Sequence, residues 1–126
     1  MAEMATYIGI EPRTGTASLA SGGIARGLRV LFNASSTLDL QDITARGDFV
    51  TIQALEANPP GKPGEIASAW GGGKVPAVAS VLTNPGDPAY TAASGQFSNV
   101  STGAILVGKW IVGASGAGVL GEVELE

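Results

Sequence analysis

The chain has 126 residues, of which 44% are apolar but only 6% aromatic, with 19 Gly, 7 Pro and a net charge of −4. One small domain is the natural prior for such a length, and so many glycines and prolines exclude long helices. The sequence contains no Cys and no His, which excludes disulfides, thiolate metal sites, Cys nucleophiles and the commonest general base near neutral pH.

Charge is sparse at 14%, against roughly a quarter in an ordinary soluble chain. The basic residues Arg13, Arg26, Arg29, Arg46, Lys62, Lys74 and Lys109 are scattered and form no run. Nucleic acid is therefore not an expected partner, because phosphate neutralisation needs clustered cations. No basic stretch followed by an apolar run opens the chain, so no secretory signal is expected. The longest apolar stretch, 104–112, is too short to span a bilayer and contains Lys109, so no membrane partner is expected.

In chain order, residues 1–27 read as an extended arm rich in Gly, Ala, Ser and Thr. Within it only 6–10 looks like a strand, broken by Pro12 and Thr14-Gly15. Residues 28–126 read as one β-rich domain. An apolar run over 28–32 leads to a turn at 33–36. Over 37–43 polar and apolar residues alternate, turning Leu38 and Leu40 inward, with Ile43 a further candidate. Arg46-Gly47-Asp48 makes a turn, and 49–55, rich in β-branched and aromatic side chains, is the next strand. The Pro-rich stretch 58–64 and Gly71-Gly72-Gly73 are loops. A strand follows over 75–82, and 84–88 is a strong turn cluster. The last third is the most regular: a short strand over 88–91, a turn at 93–95, a returning strand over 96–100, a long strand over 104–113 and a final strand over 119–125. In the final strand Val119, Val123 and Leu125 share one face with Gly121, and Leu120, Glu122 and Glu124 the other. The expected class is mainly β, a small antiparallel barrel or meander with little helix.

Candidate chemistry is thin. Asp39 and Asp42 lie three apart and point to opposite faces of a strand, while Glu122 and Glu124 share a face that reads as solvated. Gly71-Gly72-Gly73-Lys74 lacks both the spaced first glycine and the following Ser or Thr of a phosphate loop. Arg46-Gly47-Asp48 matches an integrin-recognition tripeptide, yet reads first as a tight turn. Trp70 beside the glycines invites sugar stacking. Trp110, in a strand of Val and Ile, reads as a core or subunit-contact residue, and Leu106 with it. No enzyme, cofactor or metal is expected.

The stretch GDPAYTAASGQFSNVSTGAILVGKWIVGASGAGVLGEVELE, 86–126, resembles the C-terminal signature of bacteriophage capsid decoration proteins, also called head-stabilising or cement proteins, the lambdoid head-decoration proteins among them. The elements of that signature are Gly86-Asp87, Tyr90, Ser94-Gly95, Phe97, Thr102-Gly103, Val107-Gly108, the turn 116–118 and Val123-Glu124-Leu125. The resemblance implies a structural virion protein on the outer surface of an assembled phage capsid, a homotrimer at three-fold and quasi-three-fold sites, with the major capsid protein and itself as partners. The alternative is a trimeric β-domain of a phage tail or receptor-binding protein, which differs in binding host glycans or receptors rather than heads. Tyr7, Ile8 and Ile10 form a β-favouring island in the arm. They are expected either to dock in extended form on a neighbouring subunit or to fill the domain's own core.

Overall fold

The computed structural model describes residues 11–18, 21–56, 63–68 and 73–126. The described residues form two five-stranded antiparallel sheets. The first holds β1 (Glu11–Gly15), β2 (Arg29–Phe32), β3 (Leu38–Leu40), β4 (Phe49–Thr51) and β5 (Gly64–Ser68) in the order β1-β5-β4-β2-β3. The second holds β6 (Lys74–Val78), β7 (Pro88–Thr91), β8 (Phe97–Ser98), β9 (Leu106–Val112) and β10 (Leu120–Leu125) in the order β6-β10-β9-β7-β8. Among the described residues, helix is confined to one short 3-10 turn, Ala93–Gly95. The mainly β class expected from composition and alternation is what forms.

The two sheet orders are the same order: adding five to each strand number of the first gives the second. The likeness extends to single hydrogen bonds. Ile24 N donates to Leu55 O at 3.0 Å, and Thr83 N donates to Ala114 O at 2.9 Å. Gly27 N donates to Thr51 O at 2.9 Å, and Gly86 N to Trp110 O at 2.8 Å. Thr51 N reaches Leu28 O at 3.0 Å, and Trp110 N reaches Asp87 O at 2.8 Å. Asn33 N reaches Thr37 O at 2.8 Å, and Ala92 N reaches Gln96 O at 2.9 Å. Every residue in these pairs is displaced by one constant offset in number, the distance from Ile24 to Thr83. The chain therefore folds the same unit twice. Few side chains coincide along that offset (Ser21 with Ser80, Gly27 with Gly86, Ala34-Ser35 with Ala93-Ser94, Ala45 with Ala104 and Ile52 with Ile111 are among those that do), so the repeat is written mainly in backbone geometry.

Each sheet also curls back on itself. The chain leaving β1 meets the far edge of its sheet through a parallel bridge between Ala17 and Leu38, and the chain leaving β6 does the same through Ala79 and Phe97. The closures rest on bonds such as Ser18 N to Leu38 O (2.9 Å) and Ser80 N to Phe97 O (2.8 Å). These are single bridges, not strand-long ladders, so each unit is a curled sheet around its own core and neither is the closed barrel that was one of the expected forms. The first core gathers Ala17, Ile24, Leu28, Val30, Leu38, Leu55 and Ile66, together with Val78 from β6. The second gathers Phe97, Val107, Trp110, Val123 and Leu125 among others, together with Val50 from β4. Each unit thus lends one valine to the other's core, which makes the pair a single packed body.

Some details depart from the alternation pattern. A strand forms across Pro12 and Thr14-Gly15, where a break was expected. It does so at the sheet edge, where a missing N–H costs no ladder bond. Ala17 and Ile24 are buried, so this part of the N-terminal 27 residues is built into the first unit. β5 was not expected; Ile66 is its only large apolar side chain, in a strand that opens on Gly64-Glu65. Val119 is 38% exposed, whereas Val123 and Leu125 face inward as expected.

The longest strand, β9, is irregular twice. Its pairing with β10 steps from Trp110 to Val112, and its pairing with β7 from Leu106 to Gly108. Each bulge shifts the inside–outside phase by one residue, so Val107 and Gly108 are both buried while Leu106 and Lys109 stay out. Gly108 is pressed so closely against β10 that a Cβ there would lie 1.9 Å from Glu124 O. Replacing Gly108 with Ala is expected to force β9 and β10 apart and to lower unfolding stability by about 2–3 kcal/mol, measurable as a fall in the urea midpoint.

Candidate functional site

Among the described residues, the most constrained polar side chain is Arg29, on β2 of the first unit. It is fully buried. Its Nε donates to Gln96 O (3.1 Å), Nη1 to Asp42 O (3.3 Å), Ala45 O and Arg46 O (3.4 Å), and Nη2 to Gln41 O (3.4 Å) and Ala92 O. The guanidinium also lies 5.8 Å from the centre of the Phe97 ring. Burial pulls its pKa from the ordinary arginine value down to about 10, with the nearby Asp42 charge opposing the shift, so the group stays charged at neutral pH. A planar fork with several fixed donors is the side chain suited to a cage of carbonyls.

That cage joins the two units. Gln41, Asp42, Ala45 and Arg46 belong to the loop after β3, whereas Ala92 and Gln96 flank the 3-10 turn of the second unit. Around it Gly95 N donates to Gln41 O (2.7 Å), and Thr91 Oγ1 donates to Ile43 O (2.6 Å). Gly95 has φ +75°, and a Cβ there would lie 3.0 Å from Arg29 O, so only glycine gives the turn both its conformation and its closeness. The arginine is structural. It holds the Arg46-Gly47-Asp48 turn against the first sheet, with Asp48 N bonded to Val30 O at 3.2 Å.

The outer surface is asymmetric between the units. Leu82, Val100, Ile105, Leu106, Val112, Val119 and Leu120 of the second unit are exposed large hydrophobics, whereas in the first unit only Leu31 is so exposed among the described residues. The outer face of the second sheet runs Lys74, Glu124, Lys109 and Pro88 across its strands, with Pro76, Glu122 and Val112 in the next row. Glu122 and Glu124 accordingly lie on the outward face expected of them.

The expected site residues separate. Leu106 is 48% exposed on the outer face opposite Tyr90. Trp110 is wholly buried, its Nε1 donating to Ser98 O at 3.0 Å and its ring packed edge-on against Phe97 at 6.4 Å. Of the two roles open to Trp110, it fills the core. Tyr7, Ile8 and Ile10, with Trp70 and Gly71-Gly72, lie outside the described residues. Arg29 was missed by sequence reasoning, and no local pattern distinguishes it from the other scattered cations. Among the described residues, no three His, Cys, Asp or Glu side chains come together as metal ligands would, and no helix is long and apolar enough to cross a membrane.

No protein-family model matches the sequence, and no curated protein matches it. Among solved structures, the crystal structure of the N base of the head fiber protein gp8.5 of bacteriophage phi29 superposes with a TM-score of 0.67, covering 93% of this chain and 94% of that one at 12% identity. The chain has the fold of a phage head-fiber base. Because the match spans nearly all of both chains, it includes both five-stranded units rather than one of them.

Two outcomes are expected. Arg29→Met leaves buried carbonyls without donors and should lower stability by about 3–5 kcal/mol. Arg29→Lys should recover only part of this, lacking the planar fork; urea unfolding checks both. The second outcome concerns acid. The Asp87 carboxylate accepts from Asn99 Nδ2 (2.9 Å) and from Asn84 N (2.9 Å), and these bonds, the Asn99 one first, hold its pKa below the usual 3.8. Its contribution is fully present above that usual value and is lost as the pH falls through the lowered one. Thermal midpoints of Asp87→Asn should therefore fall less on acidification than those of the parent.

Proposed function

We propose that this chain is a non-catalytic structural protein of a phage head. In this reading it binds the outer surface of the assembled capsid, with the major capsid protein as partner, and stabilises the shell as a homotrimer. The observation that carries the reading is the fold shared with a head-fiber base across almost the whole chain. The resemblance of residues 86–126 to capsid decoration proteins supports it from the sequence side.

The physics suits the role. A protein that binds only the assembled shell stabilises that state by mass action. A trimer multiplies a modest contact through effective concentration. A body with few charges and a surplus of exposed apolar side chains on one unit is suited to docking on protein.

Two experiments test this. Purified chain mixed with empty heads should cosediment at high copy number, and an image reconstruction should show added density on the outer shell at three-fold positions; failure to cosediment at any ratio would refute the proposal. Within the same reading, Tyr7, Ile8 and Ile10 dock in extended form on a neighbouring capsid or decoration subunit. Deleting residues 1–10 should then leave a folded protein that binds heads at least roughly tenfold more weakly, the equivalent of about 1.4 kcal/mol. Unchanged head binding, or unfolding of the truncated chain, counts against the docked segment.

A further inference from the structure

The two sheets begin with equivalent edge strands, β1 and β6, and the two edges are finished differently. Each strand leads into the alanine of its closing bridge, Ala17 or Ala79. Counting back three residues from each alanine matches Thr14 with Pro76. On β5, Glu65 turns its backbone toward β4: Ile52 N donates to Glu65 O at 2.9 Å, and Glu65 N donates to Gln53 Oε1 at 2.9 Å. Thr14 is the partner of Glu65 on β1, so its own N–H and C=O point away from the sheet, as alternation along a ladder requires. Thr16 has the same phase, and its O accepts from Leu38 N at 2.8 Å. Among the described residues no such bond meets Thr14 N or O. In the second sheet the same place is shut, since Pro76 has no N–H and Val78 N is bonded to Gly27 O of the first unit at 2.9 Å.

Apolar surface lies beside the open edge. Phe32 and Phe49 pack on the first core yet are only partly buried, with ring centres 5.6 Å apart. Both rings border β1. A Cβ on Gly15 would lie 3.4 Å from Phe32 Cε1, and the guanidinium of the exposed Arg13 lies 5.7 Å from the centre of the Phe49 ring. Along the constant offset the second unit has Thr91 and Gly108 at these places, and both are buried. The second unit closes this end with small residues, whereas the first leaves two aromatic rings half out.

We infer that residues 6–10 of a neighbouring copy of the chain add to β1 as a further strand of the first sheet. Main-chain bonds to Thr14 hold the added strand. Ile8 and Ile10 share one side of an extended segment and cover the Phe32–Phe49 pair, while Tyr7 takes the other side. The segment suits the edge: it has as many residues as the five of β1, it is rich in β-favouring side chains, and it carries no charge to set against Arg13. The chain's own segment is badly placed for the same role. Ile10 is joined to Glu11, the first residue of β1, so a return within 9–11 spends Ile10 on a tight turn, which a β-branched residue disfavours. The inference rests on the docked-segment reading given above and names the surface that receives it.

The test uses the full chain. Thr14→Pro copies Pro76 of the second unit and removes the outward N–H without touching the ladder to β5. Its circular dichroism spectrum and urea midpoint should therefore match those of the parent. Sedimentation should show an oligomer for the parent, and Thr14→Pro should dissociate at a concentration roughly tenfold higher or more. Because the chain has no Cys, chains carrying Tyr7→Cys should form mixed disulfides on mild oxidation with chains carrying Thr14→Cys. With chains carrying Ser115→Cys, in an exposed turn of the second unit, they should not. This cross-linking decides the matter if Thr14→Pro fails to fold. A folded Thr14→Pro that associates as tightly as the parent overturns the inference, and so do equal mixed disulfides at both positions. A monomeric parent also overturns it. In that case an intramolecular disulfide in a chain carrying both Tyr7→Cys and Thr14→Cys assigns the edge to the chain's own segment, and weaker head binding by Thr14→Pro assigns it to the capsid. A monomeric parent that still cosediments with heads leaves the head reading standing, and an oligomer that ignores heads does the reverse.

Discussion

The structure depends on burying one charged group. A guanidinium removed from water is costly unless its donors are met, and Arg29 meets them with main-chain carbonyls from three segments: the loop after β3, the chain before the 3-10 turn and the chain after it. Carbonyls held at that density repel one another without a cation among them. The arginine and its cage are therefore mutually necessary, and together they set the spacing of the two units. Gly95 follows from this arrangement, since the turn must approach within contact of the Arg29 backbone.

The repeated unit shows how little of a fold has to be carried by particular side chains. Ile24 corresponds to Thr83, Leu28 to Asp87 and Thr51 to Trp110, yet the backbone bonds recur. What the units share is inward volume and the points at which N–H and C=O groups pair. The first unit keeps a core of Ile, Leu and Val. The second concentrates its bulk in Phe97 and Trp110 among alanines and valines. The divergence left the interior solved in two ways and the exterior free to differ, and among the described residues the difference appears as a surplus of exposed apolar side chains on the second unit.

Legibility in the sequence followed from the same physics. Strands β7 to β10 were readable because alternation and turn residues agree there. Strand β5 was not, since a short strand with one large apolar residue has no alternation to show. The breaks expected at Pro12 and at Thr14-Gly15 failed because an edge strand tolerates what an interior strand does not. The internal repeat was not legible because side-chain identity along it is sparse and falls mostly on small residues. Arg29 escaped because a buried cation is defined by the segments that come to it. Leu106 and Trp110, paired in expectation, were separated by the bulge at Val107, a one-residue shift that periodicity alone cannot foresee.

The edges of the second sheet have a further implication. Leu125 N bonds to Gly73 O and Ala79 N to Val119 O, so the outward backbone groups of β6 belong to Lys74, Pro76 and Val78. Proline has no N–H to offer, Val78 N is already bonded to Gly27 O at 2.9 Å, and Lys74 is charged. At the opposite edge Ser80 closes on Phe97. At these two edges the second sheet therefore offers no open row of backbone donors for a further strand to extend. Edges guarded in this way do not seed the irreversible growth that unguarded strand edges allow.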